Sequence, residues 1–230
     1  MTVYEFEKYT LPTDVTGYIA VDDTRSLIVL AFRGTHGIRN ELTDIDVFRV
    51  PTDICSNCDC HQGFWDSWIE ARSGVTTAIS NTQAMHPDYG VVVTGHSLGG
   101  AIADIAAAEI RKSGINCELY TYGAPRIAGS VLSDFITNTV NGSVYRVTHT
   151  DDPVPRLPPI SLGFVHISPE YYIDAPTNIA PTAENITVFS GNINRNGNTP
   201  QNALFGTDLD AHLWYFNGIS NCAPSGFAFK

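Results

Sequence analysis

Residues 91–101 read Val91-Val92-Val93-Thr94-Gly95-His96-Ser97-Leu98-Gly99-Gly100-Ala101. The valine run is a short β-branched stretch of the kind that forms a strand covered on both sides. From Ala101 to Arg111 the chain is Ala-rich and helix-prone, and Lys112-Ser113-Gly114 closes that helix. Between them stands Gly95-His96-Ser97-Leu98-Gly99, a G-x-S-x-G pattern. A chain with 19 glycines yields such a pattern by chance, but a position between an apolar strand and a helix is the context that gives it meaning. There the serine occupies a strained strand-to-helix turn and its oxygen projects from the sheet. Glycines two positions to either side let neighbouring chain approach closely, and the free N–H groups of the helix start favour developing negative charge.

Outward from this point the pattern repeats. On the N-terminal side, Tyr18–Ala20 and Ser26–Phe32 read as strands separated by the polar turn Asp22-Asp23-Thr24, and Phe64 to about Ala84 reads as a helix in which Trp65, Trp68, Ile69, Val75 and Ile79 keep roughly helical spacing. On the C-terminal side, Leu119–Tyr122 is a strand, Ile127–Thr139 a helix and Val144–Thr148 a strand. Strand, helix, strand, helix, strand predicts a mostly parallel central sheet with helices on both faces. Beyond Asp151 the prolines of Asp152-Pro153-Val154-Pro155 and Leu157-Pro158-Pro159 demand extended loop. Residues 174–208 are rich in Asn, Pro, Gly and Thr, with one strand candidate at Ile186–Phe189. No repeat and no linker divides the chain, so one domain over residues 1–230 is expected.

Composition narrows the function. Hydrophobic residues make up 43% and charged residues 16% of the 230, which excludes a disordered chain or a coiled coil. Lys and Arg total 13 against 24 Asp and Glu, a formal charge of −11. That charge repels phosphate backbones and anionic head groups, so no nucleic-acid partner is expected and a neutral substrate fits better. No run of 18 apolar residues is present, so no transmembrane segment is expected. The first residues show neither a basic n-region nor an apolar h-region, which predicts either an intracellular chain or a mature form with an added Met1. Sequons stand at Asn141-Gly142-Ser143 and Asn185-Ile186-Thr187, at chance level.

A serine hydroxyl is a weak nucleophile and needs a base and an orienting acid, which follow this kind of elbow in the order Asp or Glu, then His. Three histidines lie downstream. His149 directly precedes Asp151 and Asp152 and is a poor base for either; His166 is intermediate. His212 follows a polar loop and precedes Leu213-Trp214-Tyr215-Phe216, an apolar stretch able to anchor that loop, so it is the favoured base, with a structural histidine as the competing reading. For the acid, Asp151 and Asp152 both sit at the carboxyl end of a strand, where such sheets place their chemistry, and nothing local chooses between them.

Several segments together resemble the lipase class 3 family of filamentous fungi. They are Phe32-Arg33-Gly34-Thr35, the stretch 93–101, Tyr122-Gly123-Ala124-Pro125-Arg126, Tyr145-Arg146-Val147-Thr148-His149-Thr150-Asp151-Asp152, Val154-Pro155-Arg156-Leu157-Pro158-Pro159 and Ala211-His212-Leu213-Trp214-Tyr215-Phe216. They run in family order from about Val15 to Cys222. The resemblance implies an α/β-hydrolase fold with a short helical lid, and a secreted serine carboxylester hydrolase that needs no metal or cofactor. Its implied residues are Ser97 as nucleophile, Asp152 as acid and His212 as base, with an oxyanion hole from the N–H groups of Thr35 and Leu98. For Thr35 a loop-start side-chain hydrogen bond is the plainer alternative.

In this family the segment after the oxyanion residue is the lid. Here it is His36 to Asp46, and Ile38, Leu42 and Ile45 fall at i, i+4 and i+7, one apolar stripe. Such a helix covers an apolar cleft when closed and meets a lipid–water interface when open, whereas an ordinary surface helix packed on the core would show the same stripe. Typical family lipases carry an aromatic residue about where Glu41 stands. Feruloyl esterases, which resemble them, have polar lids, while the intact His212–Phe216 segment leans towards the lipases. The implied substrates are therefore tri-, di- and monoacylglycerols or similar lipid esters, with hydroxycinnamoyl esters as the runner-up. A non-catalytic lipid-binding homologue would show a broken triad, and none is broken; acyl transfer is a further alternative.

Cys55-x-x-Cys58-x-Cys60-His61 superficially resembles a zinc cluster, but four ligands within seven positions would have to wrap one ion in a single tight loop. The family resemblance implies a short disulfide between Cys55 and Cys58 instead. It also gives Cys222 a partner in an N-terminal helix with no counterpart before Tyr4-Glu5-Phe6. Either that segment is missing or Cys222 pairs with Cys60 or Cys117. An exposed apolar patch, or a second molecule over it, is expected where that helix would pack.

Overall fold

The computed structural model describes residues 1–6, 13–34, 47–199 and 208–221. Its strands are β1 (Thr2–Phe6), β2 (Gly17–Asp22), β3 (Leu27–Phe32), β4 (Arg49–Pro51), β5 (Asp59–His61), β6 (Gly90–His96), β7 (Cys117–Tyr122), β8 (Val144–His149), β9 (Glu170–Ile173), β10 (Ile186–Phe189), β11 (Trp214–Tyr215) and β12 (Asn217–Gly218). The α-helices are α1 (Gln62–Met85), α2 (Leu98–Lys112), α3 (Ser130–Asn138) and the single turn α4 (Leu209–His212). Eight strands form one sheet in the order β1-β2-β3-β6-β7-β8-β9-β10. The central run from β3 to β9 is parallel, and β1, β2 and β10 join antiparallel at the two margins. This is the expected mostly parallel sheet of an α/β-hydrolase.

Helices flank this sheet. Among the described residues, α1, α2 and α3 all contribute to one core with Ile19, Ile28, Leu30, Val91, Val93 and Leu119, the alternate residues that point to one side of the sheet. The other side carries Tyr18, Val29, Ala31, Val92, Thr94, Tyr120 and Tyr145, which remain half-buried or exposed, and the rings of Tyr120 and Tyr145 stack there at 4.4 Å. At the carboxyl end of that side, Tyr215 and Phe216 pack against Tyr122. Burial alternates with period 2 in β3, β6 and β7, as side chains alternate between the two sides of a strand.

Helix α1 buries Phe64, Trp68, Ala71, Val75 and Ile79, while Ile69 is 44% exposed, so the buried stripe lies one position off the expected one at its start. Nδ1 of His61 caps it by accepting from the Phe64 amide at 3.4 Å. Helix α3 begins three residues later than the sequence predicts. The Ile127 carbonyl accepts from the His61 amide at 2.7 Å and Ala128 bridges Val165, which hold residues 127–128 extended despite their apolar character.

Cys55 and Cys58 are joined by a disulfide, as the resemblance implied. Cys60 and Cys117 are buried free thiols, and Cys222 lies outside the described residues. Among the described residues, no group of three His, Cys, Asp or Glu side chains stands where it could hold a metal ion, and no helix is long and apolar enough to cross a membrane.

Candidate active site

Strand β6 ends at His96 and helix α2 begins at Leu98, leaving Ser97 alone at the bend with φ 55° and ψ −129°. A side chain rarely adopts that conformation, and holding it costs on the order of 1–3 kcal/mol. Packing and hydrogen bonds enforce it. The Ser97 amide donates to the Tyr122 carbonyl at 3.0 Å, and the Ser97 carbonyl accepts from the amides of Gly100 and Ala101 at 2.9 and 3.2 Å. A Cβ at position 95 would stand 2.2 Å from the Gly99 carbonyl oxygen, and one at position 99 would stand 2.4 Å from that of Phe32. Both flanking glycines are therefore required for the helix to enter this close to the sheet. The Ser97 hydroxyl is buried and has no hydrogen-bond partner.

The acid comes from the turn after β8. The Asp152 amide donates to the His149 carbonyl at 3.0 Å, which turns the carboxylate inward, where the Val154 amide donates to Oδ1 at 2.9 Å. Asn198, fully buried, fixes the same turn from outside: its Nδ2 donates to the Thr150 and Asp152 carbonyls at 3.0 and 2.9 Å. The choice left open by the sequence resolves geometrically. Asp152 faces His212, whereas Asp151 is turned to solvent and pairs with Arg156 at 2.6 Å.

His212 closes the turn α4, which Asp208 caps by accepting from the amides of Asp210 and Ala211 at 2.9 and 3.1 Å. Its Nδ1 stands 2.9 and 2.8 Å from the two oxygens of Asp152. A carboxylate only accepts, so Nδ1 carries the proton and Nε2 is left as a bare acceptor. That Nε2 is buried without a partner, the same condition as the Ser97 hydroxyl. Two further histidines hold this segment. His96 Nε2 donates to the His212 carbonyl at 2.8 Å, and the His149 ring nitrogens stand 3.1 and 2.9 Å from the Ala211 and Ala175 carbonyls. Burial, with the neighbouring His212 ring, pushes the His96 imidazole well below its ordinary value and keeps it neutral. His166 stands apart, with Nε2 2.6 Å from the Pro155 carbonyl.

For the oxyanion, Leu98 is the first residue of α2, so its amide has no acceptor within the helix. Gly34 brings the loop after β3 against the nucleophile: a Cβ there would stand 2.8 Å from the His96 carbonyl oxygen and 3.3 Å from the Ser97 Cβ. Thr35 and the stripe Ile38, Leu42 and Ile45 lie outside the described residues.

Two groups at the site escaped sequence reasoning. Gly123, with φ 58°, passes directly against the acid–base pair; a Cβ there would stand 2.9 Å from Asp152 Oδ2 and 3.0 Å from His212 Nδ1. A glycine following the strand Leu119–Tyr122, within a family-like segment, was its signal. Tyr215, within a stretch read as an apolar anchor and a family-like segment, reaches Asp152 Oδ2 with its hydroxyl at 2.5 Å.

The family model for lipase (class 3) matches residues 29–162. A secreted mono- and diacylglycerol lipase A of Penicillium camembertii is 40% identical over 228 residues, an alignment covering 99% of this chain and 74% of that protein. The crystal structure of a mono- and diacylglycerol lipase from Aspergillus oryzae matches with a TM-score of 0.85 at 42% identity, covering 93% of this chain and 79% of that one. The Rhizomucor miehei triacylglyceride lipase structure matches at 0.83 and 28% identity, covering 94% and 80%. A family model spanning more than half the chain, together with relatives at this identity, leads to one statement: the chain belongs to the class 3 lipase family and is an ester hydrolase of the lipase type.

Proposed function

We propose that this chain is a secreted, single-domain lipase that hydrolyses the ester bonds of acylglycerols through an acyl-enzyme on Ser97. The observation that supports the reading is that two buried atoms are left without hydrogen-bond partners, the Ser97 hydroxyl at a strained helix start and Nε2 of an imidazole whose other nitrogen is held by Asp152. His212 Nε2 takes the Ser97 proton as the serine oxygen attacks the ester carbonyl. The tetrahedral oxyanion is held by the Leu98 amide and by Thr35. Collapse breaks the ester bond, and the departing glycerol oxygen takes the proton from His212. Water then gives a proton to Nε2, attacks the acyl group and releases the fatty acid, restoring the serine. Asp152 keeps the imidazole in the productive tautomer and balances the imidazolium charge.

Acylglycerols suit a chain with formal charge −11 because they carry no anionic group to repel. The relatives named as mono- and diacylglycerol lipases support partial glycerides as the main substrates, and their being named secreted supports an extracellular location. Transient contact with a lipid–water interface, through the stripe Ile38, Leu42 and Ile45, belongs to the same reading. Turnover should be compared on dispersed short-chain esters, emulsified mono-, di- and triacylglycerol, and methyl ferulate. Acylglycerols are expected to be turned over fastest, and Ser97→Ala is expected to lose about 10³-fold or more in kcat on each. Preferred turnover of methyl ferulate, or an unchanged rate in Ser97→Ala, would overturn the reading.

A further inference from the structure

Asp152 is fully buried, and the donors reaching it are unevenly shared. Oδ1 accepts from the Val154 amide as well as from His212, whereas Oδ2, among the described residues, has besides His212 one further donor, the Tyr215 hydroxyl. That hydroxyl is aimed by packing on every side. The Tyr215 ring meets His96, His149 and Tyr122 edge-on at 5.8, 5.9 and 6.1 Å, and it belongs to a small core with Val147, Ile173 and Ala175. Tyr215 also lies three residues after His212, so one short segment supplies both the imidazole and the phenol that grip the same carboxylate.

We propose that Tyr215 is a positioning residue that sets the basicity of His212 by drawing off part of the Asp152 charge through this hydrogen bond. The inference rests on the acyl-enzyme reading above. A carboxylate shared between an imidazole and a phenol O–H offers less charge to either, so the imidazolium is stabilised less and the free base is retained to lower pH. Burial, then the adjacent Asp152 charge, holds the Tyr215 phenol well above its ordinary range, so it stays a donor throughout the working pH. The other titratable and charged groups around the pair are His96 at the end of β6, Tyr122 at the end of β7, His149 at the end of β8, Glu170 on β9, and Asp151 with its partner Arg156 beyond the turn. None of these donates to Oδ2.

The test is the pH dependence of kcat/KM on a soluble short-chain ester. Tyr215→Phe keeps the ring and removes only the donor; its acid limb is expected to move up by about half a pH unit or more, with roughly a tenfold fall in the plateau. Replacing Tyr215 by 3-fluorotyrosine, a more acidic phenol of nearly the same shape, is expected to move the limb down. A merely structural tyrosine would lower thermal stability and leave the limb where it is in both proteins. An unmoved limb in both therefore overturns the inference. Ser97→Ala, measured alongside, separates the two claims, because retained turnover there defeats the acyl-enzyme reading itself whatever Tyr215 does.

Discussion

Gly123 shows how little room the acid–base pair leaves. Its φ of 58° favours glycine, and a methyl group there would press on both Asp152 Oδ2 and the His212 ring. Gly123→Ala should therefore cost about 1 kcal/mol of stability for the left-handed backbone alone. Its larger effect should be on rate. Displacing the imidazole by a fraction of an ångström is expected to lower kcat ten- to roughly a hundredfold while far-UV circular dichroism stays that of the parent. Steady-state kinetics on a protein shown to be folded checks this, and an unchanged kcat would mean that the pair has slack the packing does not reveal. At this scale Ser97 was legible in the sequence because its backbone demands the glycines beside it. Asp152 was narrowed only to a neighbouring pair, because which of two adjacent carboxylates turns inward depends on the His149 carbonyl and on Asn198, 46 residues further along. Tyr215 was invisible, since a hydroxyl at the tip of an apolar ring reads as core until its partner is known.

At the scale of elements, β3, β6 and β7 and the helices α1 and α2 were readable because each has a long apolar pattern and clear end signals. Other elements answer to partners far along the chain. Strand β9 received no assignment from the sequence; it carries the buried Glu170, which pairs with Arg146 of β8 at 3.5 Å and accepts from the Thr148 hydroxyl at 2.6 Å, so a polar residue stands in the core. Strand β1 shows no clean alternation and lies at the margin, next to β2, with a shift of register between Thr2 and Tyr4. The hairpin of β4 and β5 is three residues a side, too short for periodicity to show. Residues 127–129 look helical in isolation because they are apolar, yet they are held extended by His61 and Val165, a tertiary contact overriding a local preference.

For the whole molecule, two neutral histidines, His96 half-buried and His166 buried, tie stability to pH. Burial lowers both His96 and His166 well below the ordinary 6.5, with the neighbouring His212 adding to the effect at His96 and the Arg146 and Arg126 charges at His166. A depressed folded value means that the unfolded chain binds more protons below 6.5, so the contribution is present above that pH and is lost as pH falls. Between about pH 6.5 and 5, unfolding should take up about two protons, and stability should fall by up to roughly 2.7 kcal/mol per pH unit. Urea titrations across that window measure the slope, and His166→Gln should halve it; a flat profile in the parent chain would mean that neither imidazole is held neutral.

The account as a whole rests on one oxygen being the group that carries the acyl chain. Labelling the active protein with a phosphonate ester, followed by peptide mass spectrometry, tests that most directly. One adduct per chain is expected, on Ser97, with hydrolysis lost in proportion to labelling. Full loss of hydrolysis with Ser97 unmodified, or full labelling of Ser97 with hydrolysis intact, would contradict it.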